Sequence, residues 1–364
     1  MTVLLSGKGM KMKVQKYEIA RAIDKLKSVV QKNDQFPALG GVLVKDGYLI
    51  ASNSEITMKV KLETSKGNYF IIPMKAFDLI KNLPDGEVDI SMMDQNAILI
   101  KTGGIKNKYQ SYPVEEFSFD ITEDSENEGV RLNGKKFMEA ISHVIYAAAD
   151  NGTNSQMMGI YFEGTEKGIS FVALDGHVVA VDTILAEGSS GMELIVPKTT
   201  AKKLISMGVI DDVMLTYTKN SAVFKSEEYA IYTRLIEGNY FAYQNMFSEG
   251  EIKAYISRLD LIGAMMRAKM CTEEKRPAVF EFEGDLLNIS ITDSLTDYQE
   301  QIPLQETVSE SIRLGFDSKL VLETLKAFTC DNVALGLTSP RMPMVVEAED
   351  SDMKALVLPV MIRE

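Results

Sequence analysis

Histidine, the side chain best suited to acid–base chemistry at neutral pH, is scarce, and one of the two histidines lies close to two carboxylates. The stretch ALDGHVVA (173–180) places Asp175 and His177 two positions apart, and Asp182 follows shortly after. A carboxylate and an imidazole at this spacing could act as a general acid–base pair. The only other histidine in the 364 residues is His143. It lies in an amphipathic stretch, where a packing or surface role is more common than a ligand role.

The residues that catalysis or metal binding would need beside His177 are missing from the sequence. The motifs G-x-G-x-x-G, G-x-x-x-x-G-K-[ST], G-x-S-x-G and H-E-x-x-H do not occur. Cys271 and Cys330 have no metal-ligand spacing, and two cysteines cannot form a disulfide framework. A turn at Gly176 between two apolar strands, SFVAL and VVAVD, explains the stretch better. We therefore expect no catalytic residues, no metal and no cofactor, with a hydrolase centred on Asp175 and His177 as a minor alternative.

The elements that would position this turn repeat along the chain. Six stretches have the apolar spacing of amphipathic helices and begin at residues 16, 74, 135, 198, 258 and 317. Successive starts differ by 58 to 63 residues, which indicates repeated supersecondary units. Between the helices, alternating segments such as NISITDSLTDYQEQIPL predict three or four antiparallel strands in each unit. Ser257 and Asp317 are predicted to cap the last two helices.

Two such units would make one domain, so the sequence predicts an α+β fold of three similar domains. Short acidic junctions at ITEDSENEGV (121–130) and FSEGE (247–251) are natural boundaries between them. The predicted domains are 1–128, 129–248 and 249–364.

The composition is typical of a globular protein, with 45% hydrophobic and 25% charged residues. The apolar run near the N-terminus is too short for a signal peptide. No stretch of about 18 uncharged apolar residues predicts a membrane span. Since two cysteines without framework spacing fit a reducing compartment, we expect a cytoplasmic protein.

Charge is sorted by element. The formal net charge is −13, yet the six predicted helices together carry +9 and the rest of the chain −22. This sorting favours a positive surface of helices that holds a polyanion by its backbone, without base readout. No helix-turn-helix, zinc-finger or aromatic RNA-binding motif accompanies it. The alternative is a repeat-built protein-interaction scaffold whose lysines are only solvated surface.

Several segments resemble the bacterial DNA polymerase III β subunit, the sliding-clamp family. MGIYFEGTEKGISFVALDGHVVAVDTI is similar to the second-domain signature, and TRLIEGNYFAYQNMF to the segment that follows that domain. FPALGGVLVKDGYLIASNSEITMKVKL resembles a first-domain stretch. GFDSKLVLETLKAF and LVLPVMIRE resemble the last helix and the terminal strand. The resemblance covers all three predicted domains in order.

The resemblance implies a non-enzymatic processivity factor: a head-to-tail homodimeric ring around duplex DNA, with helices lining the pore and sheets outside. It also implies a hydrophobic pocket that takes peptides from the replicative polymerase, the clamp loader and other partners. By position, the pocket would use Met157, Leu174, Gly176, His177, Val179, Phe241, Asn245, Met246, Leu320, Arg341, Pro343, Leu358, Pro359, Val360 and Met361.

The same resemblance assigns the remaining surfaces. Val178, Leu174 and Phe241 stand where the family usually has Arg, Thr and Pro, which bears on the choice of peptide. Ring closure would involve Tyr109 on one side and Met270 with Cys271 on the other. The cations expected to face DNA are Arg21, Lys25, Lys32, Lys75, Lys81, Lys136, Lys198, Lys202, Lys203, Arg267, Lys269 and Lys319.

Overall fold

Six α-helices recur along the chain in the computed structural model, which describes residues 10–93, 96–117, 129–208, 211–248, 250–270, 276–292 and 297–362. Each helix begins within three residues of its predicted start. The helices are α1 (Lys16–Leu26), α2 (Phe77–Asn82), α3 (Gly134–Val144), α4 (Lys198–Met207), α5 (Arg258–Met270) and α6 (Ser318–Ala327).

Twenty-four strands lie before, between and after the helices in the described residues. The first third contains β1 (Lys11–Gln15), β2 (Gly41–Lys45), β3 (Tyr48–Ser52), β4 (Ile56–Lys61), β5 (Tyr69–Pro73), β6 (Glu87–Met93), β7 (Ala97–Thr102) and β8 (Ile105–Gln110). The second contains β9 (Val130–Leu132), β10 (Gly159–Gly164), β11 (Ile169–Leu174), β12 (Val178–Ile184), β13 (Glu193–Pro197), β14 (Val213–Tyr217), β15 (Ser221–Lys225) and β16 (Tyr229–Arg234). The last contains β17 (Ile252–Ser257), β18 (Ala278–Glu283), β19 (Leu286–Thr292), β20 (Asp297–Pro303), β21 (Ile312–Phe316), β22 (Asn332–Leu337), β23 (Met344–Ala348) and β24 (Lys354–Val357).

The chain divides into two compact units, Met1–Leu132 with Ser206–Arg234 and Asn133–Ile205 with Leu235–Glu364. The first unit contains an eight-stranded sheet of order β5-β2-β3-β4-β16-β15-β14-β9 and a four-stranded sheet of order β1-β6-β7-β8. The second unit repeats this plan, with sheets of order β13-β10-β11-β12-β24-β23-β22-β17 and β20-β19-β18-β21. Neighbouring strands pair antiparallel, as the alternating segments predict.

The units differ from the sequence thirds because each eight-stranded sheet joins strands from two thirds. In the first unit, β16 pairs with β4, with Tyr229 opposite Val60. In the second unit, β24 pairs with β12, with Leu356 opposite Val179. The terminal strand of the chain is thereby placed beside the strand that begins at Val178.

The helix starts have the predicted polar caps. The carboxylate of Asp317 accepts hydrogen bonds from the backbone N–H groups of Lys319, at 2.8 Å, and Leu320, at 3.3 Å. The hydroxyl of Ser257 accepts the N–H of Asp260 at 3.3 Å. Such caps satisfy backbone donors that the first helical turn leaves unpaired.

Aromatic packing ties α3 to the sheet of the second unit. The buried rings of Phe137 on α3 and Phe162 on β10 meet edge to face, 6.0 Å apart, and Phe171 on β11 lies 4.7 Å from Phe162. Burial of such rings supplies much of the free energy that holds a helix on a sheet. No helix in the described part of the chain is long and apolar enough to cross a membrane.

Candidate functional site

The β11–β12 turn is built by the carboxylate of Asp175. Its Oδ1 accepts the backbone N–H of His177 at 2.8 Å and that of Val178 at 3.1 Å. Gly176 has a φ of +91°, a backbone conformation that side chains with a Cβ rarely adopt. The predicted turn is confirmed. One oxygen of Asp175 is thus committed to backbone donors, which supports the interpretation of this stretch as a structural turn.

A second carboxylate of this hairpin pairs with the other histidine. Asp182 Oδ2 lies 2.7 Å from His143 Nδ1, and the two side chains are only 11% and 19% exposed. The contact pins α3 to β12, so His143 has a packing role, as its position in an amphipathic helix indicates. No group of three or more His, Cys, Asp or Glu side chains in the described ranges is placed to hold a metal ion.

An apolar cluster, which we call the pocket cluster, covers one face of the hairpin. Four of the predicted pocket residues belong to it: Met157, Leu174, Val179 and Phe241. Leu174 and Val179 are buried, and Met157 and Phe241 are partly exposed. The other members are Tyr161, Val172, Val181, Ile195, Ile236, Tyr240, Tyr243, Phe247 and Leu356. An apolar surface of this kind can take an apolar side chain of a partner.

The segment after β16 lies over this cluster and is anchored by polar contacts. Glu163 on β10 accepts the hydroxyl of Tyr243, at 2.5 Å, and the amide of Gln244, at 3.1 Å. The backbone N–H of Ile236 donates to the carbonyl of Ile195 at 2.9 Å. These bonds hold the segment that carries Phe241.

Three tyrosines of the cluster are unusually hard to ionise. Tyr240 stacks on Tyr161 with ring centroids 4.6 Å apart. Burial raises the pKa of Tyr161 to about 12, with the carboxylates of Glu193 and Glu163 adding to it. Burial also raises the pKa of Tyr240 and of Tyr243 above the ordinary range, so these hydroxyls stay neutral.

The C-terminal segment borders the hairpin. The N–H of Leu358 donates to the carbonyl of His177 at 2.9 Å, and the N–H of Val360 donates to Gly315 at 2.8 Å. Leu358, Val360 and Met361 are 37%, 39% and 87% exposed. The segment therefore presents apolar side chains to solvent beside the pocket cluster.

The remaining predicted pocket residues lie on neighbouring elements. Asn245 and Met246 are exposed in the helical turn Tyr243–Met246, whose first residue belongs to the cluster. Pro343 directly precedes β23, which pairs with β24. The other positions are Gly176, His177 and Arg341, which are exposed, and Leu320 and Pro359, which are partly buried. Sequence reasoning missed Tyr161, Glu163, Tyr240 and Tyr243, although the aromatic density of NYFAY was a usable signal.

The predicted DNA-facing cations are mostly exposed, and at least six of the twelve form ion pairs with described residues. Those exposed are Arg21, Lys32, Lys75, Lys81, Lys136, Lys202, Arg267, Lys269 and Lys319, whereas Lys25, Lys198 and Lys203 are partly buried. The ion pairs join Arg21 and Lys25 to Glu228, Lys81 to Asp24, Lys198 and Lys202 to Asp150, and Arg267 to Glu300.

The two described residues assigned to ring closure, Tyr109 and Met270, lie one in each unit. Tyr109 is on β8, the outermost strand of its four-stranded sheet. Met270 ends α5 and is 81% exposed. Arg267 of α5 donates to Glu300 of β20, with Nε 2.9 Å from Oε2, so α5 and β20 share one surface. Cys271 lies outside the described residues.

Comparison with known proteins matches nearly the whole chain to one protein family. Three family models match in order: the N-terminal domain of the DNA polymerase III beta subunit at 10–120, its central domain at 131–241 and its C-terminal domain at 247–361. A beta sliding clamp of Staphylococcus epidermidis is 23% identical over 94% of this chain and 97% of its own length.

Solved structures share the fold. The beta subunit of the Streptococcus pyogenes DNA polymerase superposes with a TM-score of 0.90 at 18% identity, over 97% of this chain and all of that chain. A sliding clamp of Pseudomonas aeruginosa, bound to griselimycin, gives a TM-score of 0.90 at 21% identity, over 98% and 100% of the two chains. The α+β expectation of repeated helix-and-sheet units is confirmed.

Proposed function

The chain belongs to the DNA polymerase III beta subunit family, and we propose that it works as a DNA sliding clamp. In this role a ring encircles duplex DNA and tethers the replicative polymerase, so the chain itself has no catalytic step. The observation that carries the proposal is the ordered match of three clamp domains across 10–361. The protein-interaction scaffold without encircled DNA is not favoured.

Contact with DNA would come from the helices. Eleven of the twelve predicted cations lie on the helices or directly before one, Lys32 lies six residues after α1, and nine of the twelve are exposed. Lysine and arginine that contact phosphates bind without regard to sequence. A topological link would hold the DNA, so the helices need only weak contacts that permit sliding.

Partner proteins would dock at the pocket cluster and the C-terminal segment beside it. The site combines buried aliphatic side chains, the partly exposed Met157 and Phe241, and the exposed Met361. Methionines adapt their shape to different ligands, which suits a site that serves several clamp-binding peptides. His177 would border the peptide with its exposed imidazole.

Ring closure would join two copies of the chain. We assign it to β8 with Tyr109 in one copy and to β20 with the end of α5 in the other. β8 carries Lys106 and Lys108, and β20 carries Asp297 and Glu300, so the two edge strands have opposite charge. Unpaired strand edges are ready templates for pairing with another chain.

Two further assignments belong to the proposal. The three clamp domains would span 1–128, 129–248 and 249–364, bounds that stay close to the matched ranges. The protein would act in the cytoplasm, where a bacterial chromosome is replicated.

Solution mass and DNA topology test the proposal together. The protein should have the mass of a dimer, and after loading it should stay on nicked circular DNA. It should leave that DNA when the circle is linearised. A persistent monomer that leaves circles and lines at equal rates would refute the clamp.

A further inference from the structure

Two helices carry a pair of cations one turn apart, and in each case one carboxylate oxygen bridges the pair. On α1, Glu228 Oε2 lies 3.9 Å from Arg21 Nη2 and 3.8 Å from Lys25 Nζ. Glu228 comes from the turn between β15 and β16, a different part of the first unit. Side chains four positions apart face the same side of a helix, so one anion can reach both.

The second example lies in the second unit. On α4, Asp150 Oδ1 lies 2.8 Å from Lys198 Nζ and 3.6 Å from Lys202 Nζ. Asp150 comes from the segment after α3. The hydrogen bond from Lys198 lowers the pKa of Asp150, so this carboxylate is charged at neutral pH. The same arrangement thus arises twice from unrelated sequence contexts.

Each bridge has an inner and an outer cation. The side chains of Lys25 and Lys198 are only 17% and 12% exposed, and Lys198 also donates to the carbonyl of Ala148 at 2.5 Å. Arg21 and Lys202 are 71% and 59% exposed. The bridging carboxylates are themselves open to solvent, at 64% for Glu228 and 74% for Asp150. An incoming anion can therefore reach the outer cation and compete with the carboxylate.

Room for such an anion exists beside Glu228. A groove of about 450 Å³ is lined by α1, the end of β4 and the turn before β16. Arg21, Lys25 and Glu228 all line it, together with the exposed ring of Tyr17. Lys61 and three further carboxylates, Glu18, Glu63 and Glu227, also line the groove. The carboxylate of Glu228 therefore lies on a solvent-accessible wall of the groove and is not buried in the core.

We propose that Glu228 and Asp150 are internal counter-ions that take the place of a DNA phosphate between paired cations on α1 and α4. This inference rests on the proposed clamp function and deepens it. A phosphate must displace the carboxylate before it gains both cations, so each contact gives less affinity than two free cations would give. Weak contacts of this kind keep the duplex centred while letting it slide.

Removing the charge of either carboxylate should strengthen DNA binding. For Glu228→Gln and for Asp150→Asn, we expect the affinity for a linear duplex to rise about threefold to tenfold at low salt. The slope of log affinity against log salt should steepen by about one, since about one more phosphate contact releases counterions. The amides keep an oxygen acceptor, so the fold should persist.

Glu227→Gln and Glu187→Gln are the matched controls. Glu227 is adjacent to Glu228, lines the same groove and changes the net charge equally, yet it forms no ion pair with Arg21 or Lys25 in the described chain. Glu187 is an exposed carboxylate of the second unit and serves the same purpose for Asp150. Both controls should raise the affinity less than twofold, because neither carboxylate bridges one of the two cation pairs.

The assay is fluorescence anisotropy of a labelled linear duplex with the full-length protein, between about 50 and 200 mM salt. A larger affinity and a steeper salt slope for Glu228→Gln than for Glu227→Gln support the inference. Equal effects of the two variants would overturn it. Retention of the wild-type protein on nicked circular DNA is measured separately, because its loss would overturn the clamp function and not the competition between carboxylate and phosphate.

Discussion

Replacing Asp175 with alanine should loosen the β11–β12 turn, whereas asparagine should preserve it. One oxygen of Asp175 accepts the N–H groups of His177, at 2.8 Å, and Val178, at 3.1 Å. Alanine removes this acceptor, and asparagine keeps it. We propose that the turn requires an oxygen acceptor at this position and does not require the negative charge.

Another turn of the same chain has asparagine at the position that corresponds to Asp175. In the corresponding β3–β4 turn, Asn53 Oδ1 accepts the N–H groups of Glu55, at 2.9 Å, and Ile56, at 2.8 Å. The N–H of Arg234 donates to the carbonyl of Glu55 at 3.1 Å, as Leu358 does to His177 in the second unit. A neutral amide therefore supports the same turn and the same neighbouring strand.

The size of the effect follows from the two lost hydrogen bonds. Each contributes about 0.5–1.5 kcal/mol net, and water replaces part of this at the exposed His177. We expect Asp175→Ala to cost about 1–2 kcal/mol of local stability, which is a factor of roughly 5 to 30 in the opening equilibrium of the turn. The cost of Asp175→Asn should stay below about 0.5 kcal/mol.

Hydrogen exchange and peptide binding measure this effect. For Asp175→Ala, the Val178 amide should exchange roughly 5 to 30 times faster. The affinity for a short clamp-binding peptide of a polymerase should fall by less than this factor, since only the molecules with an open turn lose the complete pocket. The reasoning is refuted if asparagine is as damaging as alanine, because the charge would then be what the site requires.

Three further outcomes are expected. His177→Ala should weaken peptide binding about threefold without affecting any turnover, as calorimetry can measure, because only its exposed side chain borders the pocket. Met270→Glu should shift the dimer towards monomer in sedimentation. The control Leu185→Glu, which also changes an exposed apolar residue, should not shift it. Equal effects of the two variants would count against the proposed interface. Burial raises the pKa of Tyr161 to about 12, so its neutral form should stabilise the fold fully below pH 10. This stability should be lost as the pH rises from about 10 to 12. Tyr161→Phe should remove that part of the alkaline loss of stability, and an unchanged pH profile of stability would contradict the assignment.

The helix starts could be predicted from the sequence because local signals mark them. An apolar strand followed by a short turn and an amphipathic stretch marks the start of a helix. This pattern locates the start to within a few residues. The amphipathic stretch KYEIARAIDKLKSVV (16–30) predicts a first helix that ends at Val30, whereas α1 ends at Leu26. Val29 and Val30 are both buried, at 0% and 5% exposure. Buried apolar side chains therefore continue past the last helical residue, so apolar spacing alone does not mark where this helix ends.

The turn at Gly176 was predictable for the same local reason, but its surroundings were not. Tyr243 reaches Glu163 across 80 positions, and His143 reaches Asp182 across 39. Periodicity indicates which face of an element is buried, and it does not identify which two polar side chains meet across elements. The pocket could therefore be placed by resemblance, while the contacts that hold its aromatic residues required the structure.

Charge sorting was visible in the sequence, whereas charge pairing was not. A count of lysine and arginine gives +9 for the helices. It gives no sign that Glu228 and Asp150 bridge four of these cations, because each carboxylate comes from a different element. The counted charge thus overstates what a phosphate would meet.

The retention of the loaded protein on DNA of different topology tests the clamp most directly. The protein is placed on a nicked circle, the circle is cut once, and the rate of release is followed with free and with protein-blocked DNA ends. A clamp should remain on the circle, leave rapidly through free ends and stay when the ends are blocked. Equal release from the circle, the cut DNA and the blocked DNA would contradict the encirclement of DNA.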